Sequence, residues 1–300
     1  MRRQRGAALV IAIGLLGLLA IAALARALAS PPGVANQLAT ERALARARDA
    51  LIAYAATEDN SPGALPCPDY DNDGESDGNE PGFVCSHTLG RLPWKTLGIG
   101  PVTDGAGECI WYALTPGFSN KIPTSQRTAG SATRPLINPD APGGISRIDA
   151  SGAATGTLIA VVIAPGRALD AQVRGAMGDT ACRHGEAAQF LDTYVADGVT
   201  FRHDSATLAI SAPASDTFND RVLGLGNVEV FRTVGARVLS ELASRDGAEP
   251  AGSPDWWTRN AWCGHVCSAD GTARIALAAG NVVQRVMPAL PECVTACATP

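Results

Sequence analysis

The acidic segment DYDNDGESDGNE, residues 69–80, holds the side chains of this sequence best suited to chemistry. It fits the calcium-loop pattern, with acidic residues at loop positions 1, 3, 5, 9 and 12 and glycine at position 6. Calcium needs six to eight oxygen ligands, which carboxylates clustered on a tight glycine turn supply. We therefore expect a calcium site in which Glu75 contributes its backbone carbonyl and Glu80 binds through both oxygens. The predicted ligands are Asp69, Asp71, Asp73, Glu75, Asp77 and Glu80.

The residues that flank this loop argue against an EF-hand. Pro66 and Pro68 surround its start and Pro81 follows its end, so neither side readily supplies the usual helix. A solvated acidic turn without an ion is the alternative, because Asp, Asn and Gly are also turn formers. Carboxylates this close repel one another when no cation is present, which favours calcium.

The cysteines predict disulfides. Their number is even, and all of them follow the first 29 residues: Cys67, Cys85, Cys109, Cys182, Cys263, Cys267, Cys293 and Cys297. In an oxidising compartment this number indicates four bridges. Cys67 and Cys85 bracket the acidic loop, and a bridge between them would lower the entropy of ordering it, so we favour this pair. Cys109 and Cys182 would then pair by elimination.

The last four cysteines form two C-x₃-C units, CGHVC and CVTAC. Four sulfurs in two short units, with His265 nearby, could also hold structural zinc. The two-residue spacing typical of zinc ribbons is absent, however, so we expect disulfides that cross-pair the two units.

Charge and motifs exclude several functions. The net charge of −5 argues against a nucleic-acid partner. The sequence contains four histidines and no G-x-S-x-G elbow, H-E-x-x-H pair or P-loop. The adjacent residues His203, Asp204 and Ser205 do not indicate a triad, since a triad is defined by spatial geometry. We expect a protein that is not an enzyme.

The first 29 residues combine a basic leader with a long apolar run. Three arginines come first, and residues 7–25 are uncharged and long enough, at ~1.5 Å of rise per residue, to cross a bilayer core. Basic residues before such a span hold the N-terminus in the cytoplasm. We therefore expect a single-pass inner-membrane protein with its head in the periplasm. A signal peptide cleaved after Ala29 and a simple anchor are the alternatives.

Gly6 lies between the leader and the apolar run, and RQRG followed by AALVIAIGLL resembles the leader of type IV pilins and type II secretion pseudopilins. In that family a prepilin peptidase cuts after the glycine, which implies that Ala7 becomes a methylated first residue. Most pilins have glutamate at the fifth mature position, where this sequence has Ile11. That departure is similar to tip-type minor members such as the K-type pseudopilin. LPCPDYDNDG, GRLPWKTLGIG, DGAGECIWYAL and FNDRVLGL also resemble segments of an uncharacterised group of bacterial prepilin-like proteins.

Apolar periodicity predicts the remaining elements. Residues 34–56 show helical spacing, with Arg42, Arg46 and Asp49 opposite the apolar face. Residues 227–243 predict a second helix, 108–115 and 156–164 predict strands, and 207–211 and 274–278 predict weaker strands. Of these strands, 156–164 is the strongest candidate for a central position in a sheet.

The resemblance implies an α+β, pilin-like fold. A long N-terminal helix, membrane-spanning in its first half, would pack on an antiparallel β-sheet head with disulfide-stapled loops. The expected parts are a leader (1–6), a transmembrane and filament-core helix (7–29), a periplasmic half-helix (30–58) and a globular head (59–300). The implied function is a non-enzymatic minor subunit of a type IV pilus or type II secretion filament, with a calcium-ordered loop. Its partners would be other pilin or pseudopilin subunits, the prepilin peptidase and the inner membrane. The alternative is a periplasmic or secreted calcium-dependent binding protein or enzyme, released by cleavage after Ala29.

Overall fold

The structure, a computed structural model, is a mixed α+β arrangement of three α-helices and four sheets in its described residues. It describes residues 32–59, 61–78, 85–131, 133–169, 172–178, 182–203, 207–244, 256–287 and 294–297. The helices are α1 (Pro32–Thr57), α2 (Asn227–Ser244) and α3 (Trp256–Arg259). The predicted leader and apolar run, with Gly6, Ala7 and Ile11, lie outside the described residues.

The strands are short, with two to five residues each. In chain order they are β1 (Leu89–Arg91), β2 (Trp111–Leu114), β3 (Ile145–Ile148), β4 (Ala154–Leu158), β5 (Ala160–Ala164), β6 (Thr193–Ala196), β7 (Val199–Arg202), β8 (Leu208–Ile210), β9 (Arg221–Leu225), β10 (Val266–Ala269), β11 (Thr272–Ala276), β12 (Val282–Val286) and β13 (Thr295–Ala296). Such lengths suit several small sheets joined by long loops, as the many Gly and Pro residues indicate.

The first sheet has the order β1-β2-β5-β9 and is antiparallel throughout. Every residue of β5 is buried, which agrees with its all-apolar sequence AVVIA. The expectation of a central strand in 156–164 is therefore confirmed for β5. The N-terminal part of the same run forms β4, an exposed strand of a different sheet.

The described residues form three further sheets. The second four-stranded sheet has the order β12-β11-β10-β13, and its β10–β13 pair is parallel. A three-stranded sheet, β4-β3-β8, also contains a parallel pair, β3–β8. Strands β6 and β7 form a hairpin.

The two long helices share one core. The apolar face predicted for α1 is largely buried, with Leu44, Ala47 and Leu51 at most 1% exposed. The face predicted for α2 is wholly buried: Val230, Phe231, Val234, Val238, Leu239 and Leu242. Helix α1 packs on β5, β9 and α2, and α2 packs on β12, so the core joins both four-stranded sheets.

The prediction of a pilin-like fold, one long N-terminal helix on one antiparallel sheet, is wrong. The described residues instead form four separate sheets, two of which contain parallel strands, and α1 is shared between the first sheet and α2. The physical reason lies in the head. Its short strands, interrupted by loops, cannot build one continuous sheet long enough to cover a helix of 26 residues.

The predicted localisation, a single-pass protein of the inner membrane, is also contradicted. Among the described residues, no helix combines the length and the apolar character that crossing a membrane requires. The longest helix, α1, carries five charged side chains: Glu41, Arg42, Arg46, Arg48 and Asp49.

Candidate metal centre

Backbone hydrogen bonds join the acidic loop to the rest of the domain at its start and in its middle, and a disulfide brackets it. The Asp69 N–H donates to the carbonyl of Arg91 at the end of β1, at 3.0 Å. The Lys95 N–H donates to the carbonyl of Gly74 at 2.8 Å. The predicted Cys67–Cys85 disulfide is confirmed, with Cα atoms 5.3 Å apart, and it joins the chain before the loop to the chain after it.

Asp69 organises the turn from inside. Its side chain is buried, and its two carboxylate oxygens accept hydrogen bonds from the Asp73 N–H at 3.1 Å and the Gly74 N–H at 2.8 Å. Burial raises the pKa of this carboxyl to about 6, against the lowering effect of the backbone donors at Gly74 and Asn72. The nearby Asp73 and Asp77 raise the pKa further. The loop thus holds a carboxylate in a place that disfavours its negative charge.

Three carboxylates converge at this position. One oxygen from each of Asp69, Asp71 and Asp77 lies within 4.8 Å of the others. Two calcium ligands on opposite sides of the ion, each at about 2.4 Å, would be separated by about 4.8 Å. An upper limit of 4.8 Å allows the three oxygens to reach one cation. Their exposure increases from Asp69, which is buried, through Asp77 to the exposed Asp71.

Within the described part of the chain, the side chain of Asp73 does not join this group. One of its oxygens accepts from the Glu75 N–H at 2.7 Å. Glu75 is predicted to bind through its backbone carbonyl, so a group of side-chain atoms leaves that prediction untested. Glu80 lies outside the described residues.

The loop is not flanked by helices within the described ranges. Helix α1 ends at Thr57, and the next helical segment is a short 3₁₀ turn at Pro116–Phe118. On the N-terminal side, this agrees with the expectation, drawn from Pro66 and Pro68, that no helix leads into the loop.

Two supporting residues were missed from the sequence. Trp94 packs its indole against Gly74, where an added Cβ would lie only 2.6 Å from the ring. Thr96 accepts a hydrogen bond from the Ser76 N–H through Oγ1, at 2.8 Å. Both come from the segment LPWKT, which follows β1. Nothing in the sequence signals that this segment supports the loop, since the contact depends on the Asp69–Arg91 pairing.

The remaining candidate groups are structural. His203 is buried, its Nδ1 is 2.7 Å from the carboxylate of Asp220, and its Nε2 accepts the Ile210 N–H. Both ring nitrogens are therefore engaged, and His203 is not placed to act as a base. His265 lies 3.9 Å from Asp140, and burial lowers its pKa.

The disulfides decide between bridges and a zinc site at the two C-x₃-C units. The predicted Cys109–Cys182 bridge is confirmed, and Cys267 is bonded to Cys297, which cross-links the two C-x₃-C units. Cys263 is disulfide-bonded as well. A sulfur in a disulfide is not a thiolate, so these residues do not form a zinc site.

No protein-family profile, curated protein or solved structure matches the chain.

Proposed function

We propose that this chain is an extracytoplasmic, non-enzymatic binding protein whose acidic loop is ordered by calcium. The observation that carries the proposal is the convergence of Asp69, Asp71 and Asp77 in a loop whose two sides are joined by a disulfide. The disulfides favour an oxidising compartment outside the cytoplasm.

The charge of the loop supports a cation. Three carboxylate oxygens this close together repel one another, and burial of Asp69 adds to the unfavourable energy. A divalent cation would offset both effects. Calcium suits the site better than magnesium because it accepts six to eight oxygens in flexible geometry, whereas magnesium demands a near-ideal octahedron at shorter distances. Backbone carbonyls and water would complete the coordination.

A calcium titration followed by thermal unfolding tests the proposal, with magnesium and a chelator as comparisons. We expect calcium to raise the Tm and magnesium to have a much smaller effect. Asp71→Asn and Asp77→Asn should abolish most of the rise, because each removes a charged ligand. Asp216→Asn is the matched control, since it removes an exposed carboxylate elsewhere. A Tm that changes with neither calcium nor chelator would show that the loop is only a turn.

The N-terminal sequence favours a second candidate, a subunit of a pilin or pseudopilin filament. It rests on Gly6 before the apolar run, and the corrected fold and localisation give it no support, so it ranks behind the first. The mass of the mature N-terminus separates the two. A methylated N-terminus at Ala7 supports the filament subunit, together with the prepilin peptidase as its partner. An N-terminus at Ser30 supports the released binding protein.

A further inference from the structure

A cavity of about 290 Å³ lies between the N-terminal part of α1 and the neighbouring ends of β5 and β9. Ala164, the last residue of β5, pairs with Arg221, the first residue of β9, and both line the cavity. Residues 105–106, in the loop before β2, complete it. The described residues that line it include none of the acidic loop. The volume is near the lower end of the range for small-molecule pockets, about 300 Å³, so an occupant would be small.

Hydrogen bonds and close packing fix the walls of this cavity. The Gly105 N–H donates to Oγ1 of Thr40 at 3.0 Å, which joins the loop to α1. A Cβ at Gly105 would collide with the carbonyl oxygen of Asn36, so glycine lets the loop lie this close to the helix. On the opposite wall, Nδ2 of Asn219 donates to the carbonyl of Arg167 at 2.8 Å. The cavity is therefore largely preformed, as small-molecule sites usually are.

The charged residues that line the cavity are two arginines, Arg167 and Arg221. Among the described lining residues, no carboxylate opposes them. Arg167 is exposed and Arg221 is half-buried, and neither guanidinium makes an ion pair or a hydrogen bond with the described part of the chain. Each guanidinium has five N–H donors, so both side chains are free to bond to an occupant.

The charged groups behind the wall balance one another. The N–H of Gly166 donates to Oδ2 of Asp104 at 2.8 Å, and its carbonyl accepts from Nη1 of Arg174 at 2.7 Å. Oε1 of Glu108 lies 3.3 Å from a nitrogen of Arg174 and 3.3 Å from a nitrogen of Arg183. These two acids and two arginines carry no net charge together. The two lining arginines therefore give the cavity an excess of positive charge.

Asn219 offers a hydrogen-bond acceptor in the same wall. Its backbone N–H donates to Asp192, an acid that lines a separate cavity. Its Oδ1 is buried and has no hydrogen-bond partner among the described residues. A Cβ at Gly166, another lining residue, would lie 2.7 Å from this oxygen, which places the oxygen at the wall. A buried acceptor without a donor is costly, so a hydroxyl group of an occupant would stabilise it.

We propose that this cavity binds a small phosphate ester that carries hydroxyl groups. Its phosphate would bond to the guanidinium groups of Arg167 and Arg221. Its hydroxyl groups would bond to Oδ1 of Asn219 and to the side-chain amides of Asn36 and Gln37, which also line the cavity. The residues involved lie outside the acidic loop, so this proposal and the calcium proposal can fail separately.

A phosphate ester fits two arginines better than a carboxylate does. One guanidinium can occupy both oxygens of a carboxylate, whereas the three terminal oxygens of a phosphate ester can accept from two guanidinium groups at once. A phosphate monoester also carries about two negative charges near neutral pH, which match the two lining arginines.

Binding of glycerol 3-phosphate to the full chain, with its disulfides intact, tests the proposal. Isothermal titration in chelator gives the affinity without any contribution from calcium. We expect saturable binding. Glycerol should not bind, and glycerate and inorganic phosphate should each bind several-fold more weakly than the ester. Tighter binding of glycerate would overturn the choice of phosphate, and equally tight binding of inorganic phosphate would overturn the role of the hydroxyl groups.

Arg167→Gln is the decisive variant, because Arg167 is exposed and its loss should leave the fold intact. We expect roughly tenfold weaker binding of glycerol 3-phosphate, equivalent to about 1.4 kcal/mol, and a similar loss in Arg221→Gln. Arg285→Gln, which removes an exposed arginine on β12, is the control and should leave the affinity unchanged. Absence of saturable binding to the wild-type chain, or an unchanged affinity in Arg167→Gln, would overturn the proposal.

Discussion

Asp69 and Arg91 are joined by a pair of backbone hydrogen bonds, each residue donating its N–H to the carbonyl of the other. The carboxylate of Asp69 organises the acidic loop, and the guanidinium of Arg91 lies against the rings of Trp111 and Phe190. The Asp69 carboxylate raises the pKa of Arg91 against the effect of burial. One backbone bridge therefore holds the buried acid of the loop beside a buried cation of the first sheet.

Removing the Cys67–Cys85 bridge should weaken calcium binding as well as the fold. The bridge closes a segment with a sequence separation of 18, for which the chain-entropy model gives about 3 kcal/mol. Without it, calcium must order a freer loop, so the affinity of a Cys67→Ser/Cys85→Ser variant should fall. The Cys267→Ser/Cys297→Ser variant is the control. It should lower the Tm without changing the calcium affinity, because that bridge joins β10 to β13 in another sheet. Equal calcium affinities in the two variants would contradict the role of the first bridge.

Gly74→Ala should destabilise the loop through both backbone and packing. Gly74 has φ of +88°, which disfavours any side chain, and a Cβ there would lie 2.6 Å from the ring of Trp94. Gly107 is a matched control, since its φ is +84° but its Cβ would meet nothing within 4 Å. We expect Gly107→Ala to cost about 1 kcal/mol and Gly74→Ala to cost roughly 1–3 kcal/mol more. Denaturant unfolding measures both free energies. Similar losses of stability in the two variants would show that the Trp94 ring moves aside at little cost.

Local sequence patterns predicted features such as the second long helix and the disulfide around the loop. The buried face of α2 follows from 3.6-residue periodicity, and the Cys67–Cys85 pair follows from its position around the loop. The calcium pattern located three grouped carboxylates, and Asp73 lies outside that group. These features depend on residues close together in the chain, where sequence spacing and spatial distance agree.

Apart from the Cys109–Cys182 bridge, features that depend on distant residues were not predicted. The run 156–164 divides between two sheets at Ile159, whose N–H and carbonyl bond to the chain at Leu225 and Thr115. The hydrogen bond from Arg91 Nη2 to the Arg183 carbonyl likewise joins residues far apart in the chain. No local pattern encodes such pairings, because long-range contacts decide which strands meet.

Arg127 is a buried arginine whose loss should unfold the loop region between β2 and β3. Its Nη1 donates to the carbonyls of Gly117 at 2.7 Å and Pro135 at 3.2 Å, and its Nη2 donates to that of Ser119 at 2.8 Å. Arg127→Met keeps an unbranched apolar stem but leaves three carbonyls without this donor, so we expect a loss of about 2–5 kcal/mol. Thermal and denaturant unfolding measure it. Arg285→Gln, which removes an exposed arginine on β12, is the control and should change stability by less than about 0.5 kcal/mol. A loss of that small size in Arg127→Met would show that water replaces the guanidinium.

The buried carboxylate of Asp192 should make stability fall as pH rises. It accepts hydrogen bonds from Gln172 Nε2 at 2.8 Å and from the backbone N–H groups of Asn219 and Asp220. Burial, followed by the neighbouring charge of Asp220, raises its pKa from 3.8 to about 6.

A carboxyl whose pKa is higher in the folded protein than in the unfolded chain stabilises the fold fully below pH 3.8, and that contribution is lost as the pH rises through 6. Asp192→Asn does not titrate. The free energy of unfolding of the wild-type protein, minus that of the variant, should therefore decrease by about 1–3 kcal/mol between pH 4 and pH 7.5. Urea unfolding at both pH values, in chelator, measures the difference. For the control Asp216→Asn, the difference in free energy of unfolding should not change with pH. A pH-independent difference for Asp192→Asn would contradict the prediction, because Asp192 would then ionise as readily in the folded protein as in the unfolded chain.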